Sequence, residues 1–213
     1  MKKYLFLIYI SILSCNKTFQ LEEGDLLFQD LDSSPLCDAI ELVTEGYNGA
    51  NLSHLGLIVS VNGKLKVIEA IPPKVILTEI NEFIDRSFDS EGNQKVIVGR
   101  LKSQYKGAIP NAINFAKKKL DVEYDVSFQI NNGTYYCSEL IYEAFNKNKI
   151  FELYPMSFKH PETEKTLQTW KEYYSDLNIE IPQDELGINP GIMSLSDKIE
   201  IIHFYGIPDG MKN

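Results

Sequence analysis

The sequence predicts an α+β protein built around an antiparallel sheet, and three observations carry that prediction. Two β-rich runs, 53–61 and 66–70, flank an Asn62-Gly63 pair, a strong short-range signal for a hairpin. Two further runs, 95–101 and 198–204, have the apolar–polar alternation of half-buried strands. Between them, 109–120 and 135–146 carry apolar residues at helical spacing. Strands joined by hairpins, with helices set among them, define an α+β class.

In chain order, Lys2 and Lys3 precede an apolar run, 4–13, and then Ser14-Cys15. That is the pattern of a secretory signal, and the run is too short to span a bilayer, which takes about twenty residues. The ending Ile12-Leu13-Ser14-Cys15 resembles a bacterial lipobox, in which Cys15 would carry lipid and become the mature N-terminus. An ordinary cleaved signal with an incidental cysteine is the alternative. Gly24-Asp25 is a turn into a short strand at Leu26-Leu27-Phe28. The stretch 35–46 is a predicted helix, with Ser33-Ser34 as caps, Pro35 in its first turn and Gly46 as its stop. After the hairpin, Pro72-Pro73 breaks the chain before Val75-Ile76-Leu77. Helix 109–120 ends in lysines, which suit its negative C-terminal end. Helix 135–146 places Cys137, Leu140, Ile141, Ala144 and Phe145 on one face. A more polar helix is predicted at 163–174, and 198–204 closes as a strand.

The composition, 44% hydrophobic and 24% charged over 213 residues, is that of a folded globular chain. No repeat or flexible linker divides it, so 16–213 is expected to be one domain behind a signal segment, 1–15. A net charge of -9 disfavours nucleic acid and anionic lipid as electrostatic partners. Any membrane association is therefore expected through the N-terminal lipid alone. Besides Cys15 there are two thiols, Cys37 and Cys137, in unlike local contexts. Two free thiols are expected, one of them reactive, although an oxidising compartment would permit a disulfide.

Cys137 opens an amphipathic helix, where unpaired backbone N–H groups and the helix dipole stabilise a thiolate and can donate to an oxyanion. On that segment alone, a small packed core cysteine fits equally well. A thiol nucleophile needs a base, and the chain has three histidines. His160 lies in a polar loop before Pro161, and alternation makes His203 a surface residue of the last strand. His54 starts the apolar strand Ser53-His54-Leu55-Gly56. Glu69, in the hairpin partner, would lie beside it and could fix the imidazole tautomer. An acid among Val67, Ile68 and Ala70 is costly to bury unpaired. The alternative places it at an edge facing water.

Gly24-Asp25-Leu26-Leu27-Phe28, then Ser53-His54-Leu55-Gly56-Leu57-Ile58-Val59, then Ile68-Glu69-Ala70, with Tyr136-Cys137-Ser138-Glu139-Leu140-Ile141 after them, resembles the NlpC superfamily of papain-like enzymes. The cysteine segment follows the histidine strand, the order of the circularly permuted YiiX/YebB-like amidases. The likeness also takes in Ile40, Thr44, Tyr124-Asp125, Phe128, Asn189-Pro190-Gly191 and Ser194, spanning roughly 22–200. It implies a curved antiparallel sheet packed against helices, with Cys137 as nucleophile, His54 as base and Glu69 as the orienting acid. Tyr124, Tyr135 and Tyr136 are candidates to line the site, and Cys37 is a bystander.

The expected activity is cysteine amidase or peptidase chemistry through an acyl-enzyme. The substrate would be a cell-wall peptide or a lipid amide in the bacterial envelope. An acyltransferase and a non-catalytic binding lipoprotein are the other two classes. No phosphate-binding glycine loop, zinc-spaced Cys/His cluster or basic aromatic stripe is present, so neither a cofactor nor a metal is expected.

Overall fold

The structure is a computed structural model describing residues 18–212; the signal segment and Cys15 lie outside the described residues. Six strands form one sheet in the order β4-β3-β2-β1-β5-β8, with every neighbouring pair antiparallel. They are β1 (Leu26–Gln29), β2 (His54–Val61), β3 (Lys64–Ile71), β4 (Lys74–Thr78), β5 (Val96–Leu101) and β8 (Ile199–Phe204). A separate two-stranded ribbon pairs β6 (Tyr154–Pro155) with β7 (Leu186–Gly187).

The β2–β3 hairpin turns at Asn62 and Gly63, with φ of 52° and 76°. Two successive left-handed residues give the turn whose twist matches that of its strands, which explains Asn-Gly at this point. Beyond it β3 runs on through Glu69 to Ile71, and β4 pairs along its far side. Glu69 therefore lies inside a covered strand and is fully buried.

Helices α3 (Ile109–Lys117) and α4 (Cys137–Asn146) pack together on one sheet face. Leu140, Ile141, Ala144 and Phe145 of α4 meet Leu55, Leu57, Ile68 and Ile97 in the largest apolar cluster. The opposite face is covered by Phe83 and Ile84 of α2 (Ile80–Ile84), with Phe19 and Leu21 against it. A third cluster is aromatic: Phe128, Tyr136, Phe158, and Trp170 and Tyr174 of α5 (Gln168–Leu177), joined by Ala39 of α1 (Pro35–Leu42). Its rings meet edge-on, as Phe158 and Trp170 do at 5.0 Å, the favoured geometry of aromatic quadrupoles.

Several boundaries differ from the sequence expectation. The first helix stops at Leu42, not Gly46, because Thr44 accepts a hydrogen bond from Asn189 Nδ2 at 2.5 Å and leaves the helical path. Its serines do not cap it; both hydroxyls approach Cys37 Sγ, at 3.5 and 3.6 Å. Helix α3 ends at Lys117, whose ammonium donates to the Ser60 carbonyl at 2.7 Å. Helix α4 begins at Cys137, since Tyr135 and Tyr136 are extended and Tyr135 bridges Tyr124. Helix α5 starts at Gln168 and runs to Leu177, ended by Asn178 at φ 54°, a left-handed cap. The last strand starts at Ile199. His203 is half-buried, stacked on Phe19 at 3.9 Å.

Candidate active site

The hairpin and the start of α4 bring His54, Glu69 and Cys137 together. His54 is the first residue of β2, and its Nε2 lies 2.6 Å from Glu69 Oε2. The other ring nitrogen, Nδ1, is thereby left for the thiol. Gly56 makes the arrangement possible. It points to the same sheet face as His54, and a Cβ there would sit 2.2 Å from Val67 Cγ1 and 3.1 Å from Phe83. The vacated space admits the Phe83 ring, which packs 5.6 Å from the imidazole.

Glu69 is held by more than the histidine. Arg86 donates to both carboxylate oxygens, each at 2.7 Å, and the Thr78 hydroxyl donates to Oε1. Burial alone would raise this carboxyl's pKa, but His54 and Arg86 overcome it and bring it down to about 2. Arg86 and Thr78 were not among the sequence candidates. A signal for Arg86 existed: a carboxylate buried among Val, Ile and Ala requires a cation, and Arg86 is the only arginine between the hairpin and β5.

Cys137 is the first residue of α4, behind Tyr136, which offers no side-chain cap. The helix ladder begins with Leu140 N–H donating to Tyr136 O, so the amides of Cys137, Ser138 and Glu139 stand outside it. The sulfur is buried and lies 3.7 Å from the Ser138 hydroxyl. Burial pushes the thiol's pKa up, yet hydrogen bonding and charge from His54 carry it below the ordinary value. Burial pushes the imidazole down, yet Cys137 and Glu69 lift it to about 9. The two shifts share a cause, a thiolate facing an imidazolium, to which Glu69 adds its own pull on the histidine. Besides His54, the sulfur's partner is the Ser138 hydroxyl.

The thiol and imidazole stand at one wall of a cavity of ≈ 480 Å³. Its other walls are largely apolar, including Leu36, Ile40, Phe128, Phe158, Trp170 and Ile188. Tyr124 and Tyr136 line it; Tyr136 is anchored where its hydroxyl accepts from Ile188 N–H at 3.3 Å. Burial, followed by the charge on Cys137, drives the Tyr124 phenol far above its ordinary pKa, so it stays protonated beside the sulfur. Tyr135 is not brought to the cavity. The extended chain turns it the other way, edge-on to Phe115 at 6.3 Å with Lys119 over its ring. Cys37 does reach the cavity wall, and both it and Cys137 are free thiols.

One trio of carboxylates converges elsewhere among the described residues: Asp30, Asp32 and Asp209. The buried ammonium of Lys95 lies among them at 3.1, 2.5 and 3.1 Å, at the centre a metal ion would take. The trio is thus an ion cluster around Lys95.

A helix-borne thiol facing a histidine on a central antiparallel strand, with the histidine strand first in the chain, defines a permuted papain-like fold. The comparisons agree. The profile of the permuted papain-like amidases, YaeF/YiiX, C92 family, matches residues 20–203, and the chain belongs to that family. It is 27% identical over 145 residues to the uncharacterized protein YiiX of Escherichia coli strain K12, covering 68% of this chain and 67% of that one. The crystal structure of the metalloprotein YiiX from Escherichia coli O157:H7 superposes with a TM-score of 0.70 at 23% identity, covering 89% of this chain and all of that one.

Proposed function

We propose that the protein is a cysteine amidase whose substrate presents a long apolar acyl group next to the scissile carbonyl. The observation that carries this reading is the cavity. A mostly aliphatic and aromatic chamber of ≈ 480 Å³ ends at Cys137 and His54. A chamber of this kind removes an alkyl chain from water at about 0.8 kcal/mol per methylene, whereas a cell-wall peptide would leave its polar groups unpaired there. Of the two envelope substrates expected from the sequence, the lipid amide fits these walls.

In the proposed reaction, the Cys137 thiolate attacks the carbonyl carbon and the oxyanion is met by amides at the α4 start. The His54 imidazolium then gives its proton to the leaving amine, which departs as the Cys137 thioester forms. Water, deprotonated by His54, attacks the thioester and releases the acid and the thiol. Glu69 takes no proton; fixed by Arg86 and Thr78, it holds the ring by Nε2 and leaves Nδ1 facing sulfur. Tyr124 and Tyr136 shape the chamber. Cys15 as a lipid anchor in the bacterial envelope would place the enzyme beside such substrates.

The Escherichia coli protein of that crystal structure is described as a metalloprotein. The convergent carboxylates here enclose Lys95, and the Glu69 carboxylate is already engaged by His54, Arg86 and Thr78. The test is to compare N-acyl amides of two to sixteen carbons with wall-derived peptides. Turnover should rise with chain length and leave an acyl mass on Cys137 in a rapidly quenched sample. Equal turnover of short and long acyl groups, or preference for the peptides, overturns the substrate class.

A further inference from the structure

Of nine large apolar side chains exposed among the described residues, four, Val126, Tyr154, Leu186 and Leu195, leave 45, 46, 56 and 56% of their surface in water and lie near one another. They are not scattered. Val126 and Tyr154 line the catalytic chamber, while Leu186 pairs with Pro155 in the β6–β7 ribbon, beside Gly187 of the same wall. Leu195 lines a second hollow, of ≈ 430 Å³, which shares Tyr154, Ile188 and Ile192 with the first. The chamber thus opens through a rim of exposed hydrocarbon with one amphipathic aromatic, the composition of a surface that sits at a lipid–water boundary.

We infer that this rim docks on a bilayer of zwitterionic phospholipid, so that an acyl chain passes from the membrane to Cys137 without crossing water. The inference rests on the acyl-chain reading above. Charge selects the lipid: Glu152, Asp184, Glu185 and Asp197 surround the rim exposed, against Lys198, and would be repelled by anionic headgroups. Chain length supports it too. Phe19, packed on His203, is four positions from Cys15, a reach of at most about 14 Å. A lipid on Cys15 would therefore keep the body close to the membrane.

The test uses the full chain with Cys15, Cys37 and Cys137 changed to serine and a polarity-sensitive fluorophore placed at Leu195→Cys or, as a control at the hairpin end, Lys64→Cys. On adding phosphatidylcholine vesicles, emission at position 195 should shift to the blue and be quenched by nitroxides on the lipid chains, while position 64 stays unchanged. No shift at 195, or equal shifts at both positions, overturns docking. A concentration-dependent shift at 195 without vesicles also overturns it, because a second copy of the chain would then cover the rim. In the chain with all cysteines intact, Leu186→Glu with Leu195→Glu should slow turnover of a vesicle-embedded long-chain amide by about tenfold. Turnover of a water-soluble short-chain ester should be unchanged. If the unaltered protein cleaves neither compound, the functional reading falls, and the fluorescence arm still decides the docking.

Discussion

At the scale of single residues, the behaviour of the site follows from three linked charges. The thiolate–imidazolium pair forms above the lowered pKa of Cys137 and is lost as pH rises through about 9, where His54 deprotonates. A bell-shaped profile of kcat/KM is expected, with its alkaline limb near 9. The same pairings stabilise the fold, with opposite signs. The raised imidazole contributes fully below its ordinary 6.5 and loses that contribution through about 9. The depressed Glu69 contributes above its ordinary 4.5 and loses it only as pH falls through about 2. Limiting iodoacetamide near pH 6 should label Cys137 before Cys37, and His54→Ala should abolish that preference. A His54→Ala protein that labels as before would show that the thiol is not activated by the imidazole. Glu69→Gln keeps the shape but cannot compensate Arg86 or favour the imidazolium. It should lower kcat/KM roughly a hundredfold or more while KM changes little.

At the scale of elements, the histidine–acid hairpin depends on what is missing from it. Gly56→Val would drive methyl groups into Val67 and Phe83. It should cost about 1–3 kcal/mol in denaturant unfolding, with loss of the Cys137 labelling preference. A variant of unchanged stability and labelling would show that the strands have more freedom than the packing implies. Helix α6 (Pro190–Ser194) is started by Asn189, whose side chain accepts from Ile192 N–H at 2.9 Å while donating to Thr44. Asn189→Ala should cost about 1 kcal/mol and weaken long-chain substrates more than short ones, since Ile188 and Ile192 form a chamber wall. Much of this was legible beforehand. Asn62-Gly63 gave the hairpin, and the apolar spacing of Cys137, Leu140, Ile141, Ala144 and Phe145 gave the helix that presents the thiol. What stayed hidden was set by distant contacts. Arg86 sits behind α2, a five-residue helix too short to show periodicity. The direction of Tyr135 depended on its bridge to Tyr124, and the end of α1 on a hydrogen bond from Asn189, 145 positions on.

At the scale of the whole molecule, Lys95 binds together parts of the chain far apart in sequence. Its buried ammonium meets Asp30 after β1, Asp32 and Asp209, and Asp209 N–H donates to Asp30 Oδ2 at 2.8 Å. Lys95→Met would leave Asp30 buried and uncompensated, at a cost of about 3–5 kcal/mol, and should expose residues beyond Phe204 to limited proteolysis. Resistance equal to the unaltered protein would show that the tail is held by its backbone bonds alone. The permuted order of the site also bears on how the protein is made. A chain leaving the ribosome emerges N-terminal end first. His54 and Glu69 can pair as soon as their hairpin is out, but the thiol follows 83 positions after the histidine. The chamber wall at residues 187–192 comes later, and Asp209 last. The nucleophile therefore arrives late, and that wall of its chamber later still. A half-made chain has a base without a nucleophile, and so has no acyl chemistry to turn on itself.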